Sequence, residues 1–175
     1  AAAELPATTG SERQEADAAA QPGAEAGAEA AHRSRPVDPE VTASLVAAIE
    51  SESWEEAEQI LRDHEDCDPD VRTTDWGYSV LRAAAEEGAT ETCRLLLKRG
   101  ANVNALDQNG MTPLMGCVVG GDFGECVTLL LEAKANAAAT TDDGFSALKW
   151  ATRLDREKAI ALLRAAGMTG STTCF

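Results

Sequence analysis

Two histidines, five cysteines and a run of glycines are the residues here whose chemistry could reach beyond packing. His32 and His64 have no partner at a spacing that would assemble a nucleophile, a base and an orienting acid, nor a metal-ligand set. Cys67, Cys93, Cys117, Cys126 and Cys174 are odd in number, widely spaced and without a C-x-x-C pair. That pattern argues against a disulfide framework and a zinc site, and favours a reducing intracellular compartment. Cys117 and Cys126 are close enough in the chain to meet, yet buried small hydrophobes are the more frequent outcome. Gly120-Gly121-Asp122-Phe123-Gly124 lacks the lysine of a phosphate-binding loop and reads as a structural turn. Glu86-Glu87 and Asp142-Asp143 read as solvated acids. No catalytic, metal or cofactor site emerges, and a non-enzymatic role is expected.

Charge narrows the partners. Among 175 residues, 30 acids face 15 bases for a net charge of −15, and three Trp, one Tyr and three Phe are the whole aromatic content. Nucleic acids and anionic membrane surfaces call for an excess of Lys and Arg, so neither is expected as a partner. The acidity is concentrated: residues 41–73 carry ten acids against Arg62 and Arg72, whereas residues 74–175 carry twelve acids and ten bases. No apolar run approaches the length of a membrane span. The chain begins Ala1-Ala2-Ala3, consistent with a trimmed initiator, a removed targeting segment or a fragment, which leaves cytosol, nucleus and organelle matrix, plastid stroma included, all open.

The elements follow from a repeat. Residues 1–36, rich in Ala, Glu, Gly and Gln, read as a tail or linker that buries too little to order itself. Beyond them Gly77, Gly110 and Gly144 recur, and with them Leu81, Leu114 and Leu148, then Ala84, Cys117 and Ala151. Leu95-Leu96-Leu97 matches Leu129-Leu130-Leu131, with Leu162-Leu163 after them. Each unit reads as a turn, a short helix, a break and a second helix. Ser79, Thr112-Pro113 and Ser146 start the first helices as capping residues. Gly88 and Gly121 are expected to end them in the left-handed conformation, with Asp155 in the same slot. Upstream, Val41, Leu45 and Ile49 stripe one helix of a terminal unit, and Trp54, Ala57 and Leu61 stripe another. Ser53 with Glu56 reads as a capping box. The expected units are about 41–73, 74–106, 107–140 and 141–168, followed by a short tail at 169–175.

Thr112-Pro113-Leu114-Met115-Gly116-Cys117, Ser79-Val80-Leu81-Arg82-Ala83-Ala84, Ser146-Ala147-Leu148-Lys149-Trp150-Ala151 and Gly100-Ala101-Asn102-Val103-Asn104 together resemble the ankyrin repeat family, with its T-P-L-H-x-A motif and G-A-x-V-N linker. The resemblance covers about residues 41–168 and implies an all-α solenoid of about four helix-turn-helix units. Three departures stand out. The motif histidine is replaced by Arg82, Met115 and Lys149, Lys134 replaces a glycine, and Ala137-Ala138 replaces the linker Val-Asn. A weaker or distorted junction between the last two units is expected.

The family resemblance also implies a concave surface of turn tips and first-helix faces that binds protein partners. Carried over position by position, it selects Tyr78, Met111 and Phe145, one residue past each turn glycine, with Trp76 beside them, as an apolar ridge. Glu86, Glu87, Val119 and Arg153 form a mixed rim. Trp54 and Trp150 read as packing residues. One or more proteins are therefore the expected partners, and nothing points to a homo-oligomer. Two alternatives remain: a structural subunit of a large complex, an organellar, photosynthetic or membrane-protein assembly included, anchored by its N-terminal tail; and an acidic regulator of a basic-surfaced partner.

Overall fold

Three hydroxyls and one carboxylate start the first helix of every unit. Asp38 Oδ1 accepts from the backbone N–H of Glu40 at 2.9 Å, opening α1 (Pro39–Glu50). Ser79, Thr112 and Ser146 accept from the N–H three residues on, at 3.1, 3.3 and 3.3 Å, opening α3 (Val80–Glu86), α5 (Pro113–Gly120) and α7 (Ala147–Arg153). Each bond satisfies a donor that the helix itself leaves unpaired. The second helices are α2 (Trp54–Asp63), α4 (Thr90–Lys98), α6 (Gly124–Glu132) and α8 (Glu157–Ala165), and none is capped by its own N-cap side chain. The computed structural model describes residues 37–74 and 77–167, so the expected tails at 1–36 and 169–175 lie outside the described residues, as does Trp76.

These eight helices, counted among the described residues, form two layers: α1, α3, α5 and α7 stack in order, and α2, α4, α6 and α8 stack behind them. The repeated apolar positions are the core. Leu81, Leu114 and Leu148 with Ala84, Cys117 and Ala151 line the first layer, and Leu96, Leu130 and Leu163 the second, all of them buried. Fully burying one such leucine contributes about 1.5–3 kcal/mol. An all-α ankyrin-type solenoid is therefore the fold.

Side chains also tie successive units together along the linkers. Asp68, Asn102 and Asn136 each accept from the backbone N–H two residues on, repeating one Asx turn. Asp70 Oδ1 then accepts from Asn102 N–H at 2.6 Å, and Asn104 Oδ1 from Asn136 N–H at 2.7 Å. Ala138 occupies the next acceptor position and has nothing to offer. Arg99 closes the C-terminal end of α2 by donating to the carbonyls of Leu61 and His64, a cation where the helix dipole favours one.

Two local expectations need correction. Ser53 precedes α2 but makes no capping bond: its ψ of 72° turns the hydroxyl away, and that oxygen receives a hydrogen bond from Ser51 Oγ at 3.1 Å. Gly121 is extended, at φ −171°, and is not left-handed. A Cβ there would meet the Phe123 ring at 2.5 Å, so the close approach of that ring is what demands glycine. Gly88 is left-handed at φ 70° and faces the same ring. Asp155 does take the left-handed conformation, at φ 55°.

At the junction between the last two units, Lys134 adopts φ 69° in the slot of Gly100 and Gly167, at a cost of about 1 kcal/mol. α7 also lies against α5 less extensively than α3 does. The junction is nevertheless tied. Asp122 accepts from the N–H groups of Lys158 and Ala159 at 3.4 and 3.1 Å, so unit three supplies the cap that Arg156 cannot give α8. Arg156 in return donates to the Val119 carbonyl at 3.4 Å.

Candidate partner-binding surface

One residue per turn sets the position of a half-buried side chain four or five residues on. Thr73 Oγ1, Asp107 Oδ1 and Thr141 Oγ1 accept from the backbone N–H of Tyr78, Met111 and Phe145 at 3.1, 2.8 and 3.1 Å. The same three residues close the turn through the backbone, each donating its N–H to the carbonyl of Tyr78, Met111 or Phe145. Isolated antiparallel bridges, Arg72 with Ser79 and Thr140 with Ser146, finish the first and third turns. Tyr78, Met111 and Phe145 are thus equivalent residues on the first-helix layer, each half-buried.

The apolar ridge expected from them is interrupted by a cation. Arg82, at the motif position where the family has histidine, is 3% exposed. Its guanidinium lies over the Tyr78 ring, 3.5 Å from the centroid, and Nη2 reaches Met111 Sδ at 3.9 Å. Nη2 also pairs with Glu86 at 3.2 Å. The contact of Nη1 with Asp107 Oδ2, at 3.5 Å, is a charge contact too long for a good hydrogen bond, and both atoms lack a hydrogen-bond partner. Arg82 therefore joins Tyr78, Glu86 and Met111 into one cluster across two units.

Glycines make room for it. A Cβ on Gly116 would stand 3.0 Å from Arg82 Cγ, and one on Gly120 would stand 1.7 Å from the Glu86 carbonyl oxygen. Four residues apart on α5, they face Arg82 and Glu86, four residues apart on α3, so the two helices meet almost backbone to backbone.

The third turn builds a different cluster. Phe145 packs on Trp150 with ring centroids 4.8 Å apart. Lys149 Nζ stands 4.1 Å from the Phe145 centroid, and the Arg153 guanidinium lies 5.5 Å from Phe145 and 5.8 Å from Trp150. Both cations are exposed, and neither forms an ion pair among the described residues. Glu87 is the exposed C-cap of α3 and Val119 is half-buried on the last turn of α5; among the described residues neither forms an ion pair or ring contact in the two clusters. Trp54 is half-buried against the core, as is Trp150, whose Nε1 has no acceptor. Among the described residues, no three His, Cys, Asp or Glu side chains are arranged to hold a metal ion. Asp107, whose side chain is buried against Arg82, and Lys149 and Trp150 belong to these clusters, yet the register of turn-tip positions did not select them.

The cysteines lie beneath this surface. Cys93 and Cys126 sulfurs are 3.9 Å apart, and Cys117 Sγ donates to the Phe123 carbonyl at 3.9 Å. Hydrogen bonding to the Cys126 thiol, followed by burial, holds the Cys93 and Cys117 thiols well above the ordinary value.

The family model described as ankyrin repeats in three copies matches residues 44–140 and again 99–172. The chain belongs to the ankyrin repeat family. Among human relatives of this ankyrin chain, BCL-6 corepressor-like protein 1 is 37% identical over 76 residues, 43% of this chain and 4% of that protein. Neurogenic locus notch homolog protein 4 is 37% identical over 99 residues, 56% of this chain and 5% of that protein. Fibronectin type 3 and ankyrin repeat domains protein 1 is 43% identical over 54 residues, 30% of this chain and 16% of that protein. The chain spans a small part of each of these relatives. Ankyrin repeats are protein–protein interaction modules, and no helix among the described residues is long and apolar enough to cross a membrane.

Proposed function

We propose that this chain is a non-enzymatic recognition module that holds a protein partner against its turns and first-helix layer. The supporting observation is the equivalence of Tyr78, Met111 and Phe145, set at one register position by matched bonds to Thr73, Asp107 and Thr141. Repeated placement of partly exposed large side chains on one layer gives a partner regularly spaced contacts, and such side chains dominate interface energetics. Glu86 on α3, Glu87 at its C-cap, Val119 on α5 and Arg153 on α7 belong to the same first-helix layer and are read as its rim.

A photo-crosslinking residue placed at Met111 or Phe145 should capture a partner in cells. The same residue at Glu91 or Glu125, exposed on α4 and α6, should not. Capture only from Glu91 and Glu125 would reverse the assignment and put the partner on the second-helix layer.

A further inference from the structure

We propose that the α7 end of the first-helix layer docks an acidic, extended segment of a protein partner. Carboxylates of that segment pair with Lys149 and Arg153, and its apolar side chains rest on Phe145 and Trp150. This proposal rests on the reading that partners lie on the first-helix layer.

Charge is sorted along that layer. α1 and its N-cap carry Asp38, Glu40 and Glu50 with no base; α3 and its C-cap carry Arg82 against Glu86 and Glu87; α5 carries no charge; α7 carries Lys149 and Arg153 with no acid. Arg82 is consumed internally, buried between Glu86 and Asp107. Lys149 and Arg153 are therefore the first-helix cations open to a partner. Asp142 and Asp143, in the neighbouring turn, do not pair with them, and Asp142 Oδ1 is directed at Gly110, 3.1 Å from the position of a Cβ there.

Spacing favours an extended peptide. Residues four apart on a helix present their side chains about 5–6 Å apart at Cβ. Alternate residues of an extended strand rise about 6.5 Å and share a face. Acids at alternate positions can thus meet Lys149 and Arg153 together. The Phe145 and Trp150 rings already hold both cations close, so less side-chain freedom is lost when carboxylates arrive. An acidic segment is attracted at α7 and repelled at α1, which fixes which end of the layer it occupies.

Selection of random short peptides displayed on phage against the full chain tests this. The expected winners carry Asp or Glu at alternate positions beside Leu or Phe. A synthetic copy should bind with affinity that falls as salt rises, and changing its Glu to Gln should weaken it about tenfold. Lys149→Glu with Arg153→Glu should cost at least as much while leaving the helical circular dichroism unchanged; if that variant misfolds, Lys149→Gln with Arg153→Gln takes its place. Winners that are neutral or basic and bind the variant as well as the parent overturn the acidic-segment proposal. If those winners are lost on Tyr78→Ala with Met111→Ala, the first-helix reading survives. If they are lost only on changes at Glu91 and Glu125, both readings fail.

Discussion

The α3–α5 and α5–α7 contacts join equivalent helices of equivalent units, yet they are built on opposite principles. The first brings backbones together through Gly116 and Gly120 and buries Arg82 in the space they leave. The second places Trp150 where α5 has Gly116, and the buried Met115 of α5 stands where α3 has Arg82; Lys149 and Arg153 project from α7. Its cations stay at the surface, held by rings, while Asp122 and Arg156 tie the units behind them. Arg82 is buried against Gly116 of the following unit, whereas no described unit follows Lys149.

Breaking the buried charge should cost most. Asp107→Ala leaves Arg82 without its cross-unit carboxylate and removes the acceptor of the Asn109 and Met111 amides. A loss of about 3–5 kcal/mol in denaturant unfolding is expected. Arg82→Met with Asp107→Ala should lose less than the two single changes summed, because an apolar pair leaves no buried charge unpaired.

Gly120→Ala should come next. The added methyl falls on the Glu86 carbonyl and forces α3 and α5 apart, for a loss of about 1–3 kcal/mol. That loss stands against a helix-propensity gain of about 1 kcal/mol. In the second layer of the other junction, Gly124→Ala on α6 meets Lys158 of α8 only at ordinary contact distance, and should be neutral or stabilising. An equal loss at both sites would erase the contrast between the junctions.

Asp122→Ala, which removes the cap lent to α8, should cost about 1 kcal/mol and raise hydrogen exchange in α8 ahead of α4.

The smallest effect at neutral pH concerns the thiols, which lie in units two and three alone among the described residues apart from Cys67. The folded state holds Cys93 and Cys117 protonated beyond the ordinary value of 9.0. As pH rises past that value the unfolded chain loses those protons first, so stability falls. The slope is at most about 1.4 kcal/mol per pH unit for each thiol. Urea titrations at stepped pH should show the fall, and Cys93→Ala with Cys117→Ala should reduce it.

The repeat was legible because its signals are local: a glycine at φ near 60–70°, a capping hydroxyl and a leucine each announce themselves where they act, as at Gly77, Ser79 and Leu81. The register of Tyr78, Met111 and Phe145 followed from the same spacing. Arg82 was not legible as a buried residue, since arginine alone indicates surface. Its burial depends on Gly116 and Asp107 in the following unit. Asp122 likewise looked like part of a turn, and its work lies at the start of a helix a unit away. Gly121 carried the right identity for the wrong reason, because Phe123 sets the requirement and not the backbone angle.

The linker bonds from Asn102 to Asp70 and from Asn136 to Asn104 all run one way: the later unit donates a backbone amide and the earlier one accepts on a side chain. An array built like this has a grammar for growth. A duplicated unit inserted before Asn136 inherits an acceptor behind it and supplies one ahead. A unit inserted after Ala138 finds none. The series of linker bonds therefore runs through the acidic half of the solenoid and stops, among the described residues, at Ala138.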